Sequence, residues 1–296
     1  MLHIDPKTLA TKDLHQFIVG AVAPRPIAWA STVDEEGNPN LAPYSFFNAF
    51  SSNPPIVVFS SNRRVSNNTT KDTLHNIEKT GEVVINMVNY PLVRQMAVTG
   101  VEFPREVNEF SKAGLTMLKS NLVAPFRVKE SPVQFECKLE KIIPLGDKGG
   151  AGHLIICNIV MIHIDENVLD ANQRIDPHKL DLVGRLGRAY YTRASGDAIF
   201  TVAQTQTDIC IGFDALPDAI RNSKVLTGNN IGYLSGLLEL PSKTDVLQLK
   251  NTDARAAKVL AAGGNVVAAL QEYAKELLDA GDFKTGTEVA FLSAWL

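Results

Sequence analysis

Residues 25–80 read RPIAWASTVDEEGNPNLAPYSFFNAFSSNPPIVVFSSNRRVSNNTTKDTLHNIEKT, and this stretch decides the fold. The apolar, β-branched run from Ile27 to Thr32 predicts a strand. Asp34, Glu35, Glu36, Gly37 and Asn38 then signal a hairpin turn. A second strand is expected to enter Ala42 to Asn48, and a third to span Pro55 to Ser60, with Asn53, Pro54 and Pro55 as punctuation between them. The polar, basic run Asn62 to Thr70 feeds a helix opening at Lys71, Asp72 and Thr73. Leu74 and Ile77 give that helix a buried side, and Gly81 is placed to end it.

Cationic and hydroxyl side chains therefore gather where a helix N-terminus exposes unpaired N–H groups, a combination suited to a phosphate. Lys71, Arg64 and Thr73 would supply its charges and hydroxyl. Asp72 and Thr73 are equally ordinary helix openers, so the residues leave both readings open. Trp29, Tyr44, Phe46 and Phe47 either wall a planar ligand by stacking or form core. Ser45 and Asn48 either fix the polarity of a ring edge or make turns. Taken together, the aromatic strands and basic helix entrance suit a flat ring with a phosphate tail.

Outward from this stretch, a short helix is expected at Asp5 to Leu14, followed by an apolar segment, Phe17 to Gly20. Val83 to Val88 reads as a strand, and Pro91 opens a helix near Leu92 to Val98. Residues 99–114 read as a loop with one helical turn before Gly114. From Pro132 the pattern alternates: Val133, Phe135, Cys137 and Leu139 face one way, Gln134, Glu136, Lys138 and Glu140 the other, as in a half-buried strand. Gly146 to Gly150 turns the chain into Leu154 to Ile164, apolar on both faces and so expected to be central. At least six strands with irregularly inserted helices predict a mainly β fold, a barrel-like antiparallel sheet rather than a doubly wound one. Beyond Phe200 the pattern is helical. Val266, Leu270, Tyr273 and Leu277 share a face of a helix that Gly281 would stop, and Thr285 with Glu288 forms a capping-box pattern. The expected organisation is a β-barrel domain at 1–200 and a helical extension at 201–296.

With 296 residues, 45% hydrophobic and 21% charged, the chain can bury a large core, and a net charge of −3 gives no case for nucleic acid or an anionic membrane. The three cysteines, Cys137, Cys157 and Cys210, are far apart and predict reduced, mostly buried thiols. The N-terminus lacks a basic n-region and an apolar h-region, and no apolar run approaches the length of a membrane span, so a cytoplasmic protein is expected. His153 and His163 share a strand face, but ten residues of strand set them roughly 30 Å apart, too far to share a metal. There is no GxxxxGK[ST], no GxGxxG after a strand, no GxSxG elbow and no HExxH. A nicotinamide cofactor, if used, would have no Rossmann domain and would act as a passing substrate.

The ordered set of segments resembles the flavin reductase-like family, FMN-binding split β-barrels that include flavoredoxin. The matching residues are Arg25 to Trp29 with Ser31 and Thr32, Asn40 to Asn48, Pro54 and Pro55 through Ser60, Lys71, Asp72 and Thr73 with Asn76 and Ile77, and Gly81 with Glu82. Gly152 with His153, and Arg185, Leu186 and Gly187 with Tyr191, complete a series covering Asp5 to Arg193. The resemblance implies an FMN-binding split β-barrel that forms a homodimer, with NAD(P)H as a transient hydride donor and flavin or another small molecule as acceptor. It implies that Trp29, Ser31, Thr32, Tyr44, Ser45, Phe46 and Asn48 line the ring and ribityl chain. Ser60, Arg64, Lys71 and Thr73 would hold the phosphate, with Asp72 beside them among the cofactor-binding residues. His153 and Arg185, the catalytic candidates, would approach the ring from the other side, and Tyr191 would help close the site. Position 188 is Arg where members of the family commonly have a second glycine. Three functions follow as hypotheses: a flavin reductase with or without a partner monooxygenase, an FMN electron carrier that does not turn over NAD(P)H, or a cofactor-free structural barrel.

Overall fold

The run after Pro26 folds as strand β1 (Ala28–Val33), buried at every position. Asp34 shapes the turn that follows, its Oδ1 accepting from the N–H of Glu36 and Asn38 while Gly37 takes a φ of 86°. The chain returns antiparallel as β2 (Pro39–Tyr44), with Ala28 opposite Tyr44. The computed structural model describes residues 1–202 and 207–296, in two units, Met1–Phe200 and Thr201–Leu296. The helical extension expected from residue 201 includes 203–206, which lie outside the described residues.

The run expected as one strand through Asn48 is two. It breaks at Ser45 and Phe46, and β3 (Phe47–Ser52) pairs with β4 (Pro55–Asn62) instead of continuing β2. With β5 (Glu82–Asn86), β8 (Val133–Pro144) and β9 (Gly152–Ile164), these strands form an antiparallel sheet in the order β2-β1-β5-β8-β9-β4-β3. Two strands adjacent in sequence thus occupy opposite edges. The two-residue link between them passes the end of β4, where Ser60 N–H donates to the Phe46 carbonyl at 2.8 Å. Smaller pairs are β6 (Met117–Leu118) with β7 (Arg127–Val128) and β10 (Val183–Arg185) with β11 (Tyr191–Arg193).

Helices of this unit are α1 (Thr11–Ala21), α2 (Asp72–Thr80), α3 (Val93–Val98), α4 (Glu109–Ala113) and α5 (Pro177–Leu180). The helix expected at Asp5–Leu14 is displaced: Pro6 opens only a 3-10 turn, and α1 begins at Thr11 and absorbs the apolar segment Phe17 to Gly20. Inside the sheet, Ala28, Ala30, Phe59, Val83, Ile85 and Ile155 pack with Leu74 and Ile77 of α2. On the other face of β1, Trp29 packs with Leu41, Met96 and Phe110.

β8 differs from its expected half-exposed pattern. Gln134 and Glu136, read as solvent-facing, are buried, Glu136 completely. The segment 119–131 folds across that face, and Glu136 accepts from the N–H of Asn121 at 2.8 Å and of Leu122 at 2.6 Å, and bonds His163 Nε2 at 2.6 Å. The expected exposed carboxylate instead anchors a loop. Its pKa is driven up by burial, but those donors outweigh it and hold the group below its ordinary value.

In the second unit, α6 (Asp218–Arg221), α7 (Gly228–Ser235), α8 (Lys243–Thr252), α9 (Ala254–Ala262), α10 (Val266–Asp279) and α11 (Phe283–Trp295) surround a core including Leu234, Val246, Leu270, Val289 and Phe291. Gly286 allows α10 and α11 to approach: a Cβ there would meet Leu278 Cγ at 2.8 Å. The Thr285 capping box is not the start of α11. Asp282, one turn earlier, caps it by accepting from Thr285 N–H at 3.2 Å. Cys137 and Cys157 are buried free thiols, whereas Cys210 is exposed. Among the described residues no helix is long and apolar enough to cross a membrane.

Candidate functional site

The entrance of α2 is built from three elements. Lys71 is the N-cap residue and no side chain caps the helix's first turn. Thr73 is buried, and its Oγ1 accepts from Asn40 Nδ2 at 2.9 Å, which leaves its own O–H free to donate. Asn40 also donates to Thr32 Oγ1 at 3.1 Å, and Asn76 Nδ2 reaches the same oxygen at 3.1 Å. Thr32 therefore supports the helix entrance from behind. Arg64 is held at the rim by Glu102, with Nε to Oε1 at 2.8 Å, and by the Thr70 carbonyl at 2.6 Å.

Tyr44 rises into this corner from the end of β2. Lys71 Nζ lies 5.1 Å from the centroid of its ring, and the ring packs 5.2 Å from that of Phe59. Its hydroxyl is buried between Thr73 and Ser61, near enough to feel both but without a well-formed hydrogen bond to either among the described residues. Burial pushes its pKa up to about 12, against the pull of Thr73 and Ser61. Ser61 Oγ is likewise buried without a partner. Leaving such groups unpaired costs roughly 1–3 kcal/mol each, so they mark a place where an external polar group belongs. Burial also lowers the Lys71 amine from its ordinary range, with Arg64 adding to the effect and Glu102 opposing it.

This corner opens into a cavity of about 380 Å³ whose lining includes His15, Arg25, Tyr44, Ser45, Phe46, Ser60, Lys71, Arg185 and Arg188, and no carboxylate. An adjoining depression of about 330 Å³ shares Pro43, Ser45 and Arg185 and adds Tyr191. Arg25 closes the wall. Its Nη1 donates to the carbonyls of Val19 (2.6 Å) and Val22 at the end of α1, and Nη2 to that of Leu186 at 3.2 Å. Burial first, and then Arg185, lower its pKa. Arg185 stacks on Tyr191, its Cζ 4.6 Å from the ring centroid. Phe46 presents its ring to the cavity, 5.8 Å from Arg25 Cζ and 6.0 Å from the His15 ring.

Of the residues expected at the site, Tyr44, Ser45, Phe46, Ser60, Lys71 and Arg185 line the main cavity. Arg64, Asp72 and Thr73 line a small cleft beside it that also carries Tyr44 and Lys71, and Tyr191 lines the adjoining depression. The structure does not bring the others to it. Trp29 is fully buried, its Nε1 donating to Thr99 Oγ1 at 2.8 Å, because β1 is covered on both faces. Ser31 and Thr32 are buried in the same strand. Asn48 lies on β3 beyond the break, where its Oδ1 accepts from Ala49 N–H. His153 pairs with Ser61 across β4 and β9, its Nδ1 3.1 Å from the Ser61 carbonyl, behind the cavity rather than lining it. Arg25, His15, Asn62 and Arg188 line the cavity without having been expected there. The available signal was Arg25 itself, a charge between two prolines at the mouth of a buried strand.

The family model described as "Flavin reductase like domain" matches residues 20–183. An uncharacterized protein of Aquifex aeolicus is 43% identical over 184 residues, 62% of this chain and 91% of that one. The crystal structure of nitrilotriacetate monooxygenase component B from Bacillus cereus superposes with a TM-score of 0.64 at 32% identity, covering 68% of this chain and 98% of that one. A protein with a split barrel domain from Shewanella frigidimarina, assigned as a flavin reductase, does so with a TM-score of 0.59 at 25% identity, covering 69% and 100%. The seven-stranded sheet is thus a split barrel.

Proposed function

The chain belongs to the flavin reductase-like family, and from that premise we propose that residues 1–200 bind FMN and transfer hydride from NAD(P)H, through the flavin, to a flavin or other small acceptor. The observation that carries this is the pair of buried hydroxyls, Tyr44 Oη and Ser61 Oγ, that make no well-formed hydrogen bond among the described residues, beside a helix entrance that no side chain caps and that carries Lys71. A phosphate tail would satisfy them, together with the Thr73 hydroxyl and the first N–H groups of α2. A cavity of about 380 Å³ without carboxylates adjoins that corner, within the range that holds small ligands.

When bound, FMN supplies the redox chemistry, accepting a hydride and passing it on. The chain's part is to hold and orient. Lys71, Thr73 and Tyr44 fix the tail, with Thr32, Asn40 and Asn76 setting the helix entrance behind them. Phe46 and Pro43 form apolar wall, and Arg25 ties α1 and the Leu186 loop around the cavity. Arg185 and Tyr191 stack at the adjoining depression, where a donor ring could be brought within the roughly 3–3.5 Å needed for transfer. His153 acts as a positioning residue, steadying β4 through the Ser61 carbonyl.

Two further proposals accompany this one. An apolar cavity of about 380 Å³ lined by Phe46, Phe47, Phe50, Val58, Leu145 and Leu154, with Phe50 68% exposed, favours pairing with a second copy of the chain. Likeness to a monooxygenase component favours a partner oxygenase as consumer of reduced flavin. The test is steady-state NADH and NADPH oxidation by the purified protein with added FMN. Oxidation dependent on the protein supports the reading. Tight FMN binding with no oxidation above background would instead mean an electron carrier.

A further inference from the structure

The loop between β10 and β11 is fixed at both flanks. The Leu186 carbonyl accepts from Arg25, Leu186 N–H donates to the Tyr190 carbonyl at 3.0 Å, and a Cβ on Gly187 would lie 3.3 Å from Gly20 Cα of α1. Between them, Arg188 has a φ of 54°, in the left-handed region that favours glycine. Asn68, Gln173 and Asp181 also have positive φ; Asn68 and Asp181 are residue types that tolerate it and use the side chain locally, Asn68 on Arg63 and Asp181 on Arg193, whereas Gln173 sits in a tight turn, its N–H donating to the Asp170 carbonyl at 3.1 Å. Arg188 shares with Gln173 a side chain that does not favour this φ, and differs from it in lining the main cavity. Among the described residues it is exposed and makes no hydrogen bond, ion pair or ring contact, yet it lines the main cavity.

The other cations there each have a neighbour. Arg25 serves the carbonyls of Val19, Val22 and Leu186, and Arg185 stacks on Tyr191. Lys71 faces the Tyr44 corner, where the reading above places the flavin phosphate. With no carboxylate in the lining, Arg188 is the guanidinium there that has neither a hydrogen bond nor a ring contact among the described residues and so faces whatever enters.

We propose that Arg188 recognises the anionic group of the second substrate, so that the molecule entering over the flavin carries a phosphate or carboxylate and is preferred to a neutral one of the same shape. This rests on the FMN reading above. The shared chemistry has two sources, the diphosphate of the hydride donor and an anionic group on the acceptor. The experiment separates them.

R188G is the informative variant, because glycine adopts this φ without strain and so preserves the loop. Wild-type and R188G proteins are loaded with FMN, and binding of NAD+ is measured by calorimetry. Anaerobic stopped-flow then gives dissociation constants for NADH and NADPH in the reductive half and for free FMN and free riboflavin in the oxidative half. The last two share a ring and differ by a phosphate. In R188G the constant for one anionic arm, nicotinamide dinucleotide or FMN, is expected to rise about tenfold, while R188K keeps most of the wild-type affinity. The arm that moves identifies the source; if it is the acceptor, the preference for FMN over riboflavin collapses. Unchanged constants for NAD+, NADH, NADPH and FMN overturn the proposal, as does an equal rise for riboflavin. A wild-type protein that takes up no FMN at the loading step overturns the functional reading and this proposal with it.

Discussion

Replacing Tyr44 by Phe should move ligand-free stability and cofactor affinity in opposite directions. The side chain is 5% exposed and its hydroxyl makes no well-formed hydrogen bond among the described residues, lying only near Thr73 and Ser61. Burying a hydroxyl unpaired costs about 1–3 kcal/mol. Thr73 and Ser61 lie beside it and recover part of that, so about 1 kcal/mol is the expected gain on removal. For a unit spanning residues 1–200, this raises the melting temperature of flavin-free protein by roughly 2–4 °C. Affinity for FMN should fall, because a hydrogen bond to a charged acceptor is worth about 1.5–3 kcal/mol, or roughly 10–100-fold. Calorimetric melting of the stripped protein gives the first quantity and FMN fluorescence quenching the second. A lower melting temperature together with unchanged FMN affinity would refute the reasoning, since the hydroxyl would then serve the fold and not a ligand.

Lysine at position 25 keeps the charge but cannot fork to three carbonyls, so R25K should destabilise the first unit by about 2–3 kcal/mol and speed hydrogen exchange in residues 11–22 and 185–190. E136Q should cost about 2–4 kcal/mol in urea unfolding at pH 7, since Asn121, Leu122 and His163 all address that carboxylate. Because the folded Glu136 value is depressed, its stabilisation is full above the ordinary 4.5 and is lost as pH falls through the lower folded value. E136Q should lack that acid-side loss. The sign at Lys71 is the reverse: burial lowers the amine, so FMN affinity should be full below that lowered value and decline as pH rises through it. In K71M the affinity should be about tenfold weaker and flat across the alkaline range, measured by FMN titration between about pH 7 and 10.

Period and punctuation carried much of the architecture. Asp34 to Asn38 is a turn, α2 opens after Lys71 and ends at Gly81 with a φ of 70°, and Leu154 to Ile164 lies within a strand paired on both sides. Long-range packing decided the rest. Tyr44 to Asn48 looks continuous because apolar residues persist through it. Only closure of the sheet, with Phe46 meeting Ser60, explains why β2 and β3 part there. Glu136 reads as solvent-facing by alternation, and only the loop at 119–131 supplies the donors that let it be buried. At the site, the Lys71–Thr73 entrance was legible as local helix chemistry. For Trp29 the residues left ring wall and core both open and the resemblance implied the wall; the structure places it in core, because β1 is covered on both faces. Arg25 reaches the cavity through contacts with α1 and the distant Leu186 loop, and Arg188 is carried there on that same loop, which no spacing encodes.

The phosphate anchor is tested most directly by titrating flavin-stripped protein with FMN and with riboflavin under identical conditions. FMN should bind at one per chain, with riboflavin at least about 100-fold weaker, because it lacks the group that Lys71, Thr73 and Tyr44 would hold. Equal affinity for the two, or no uptake of either, would contradict a tail held at the entrance of α2.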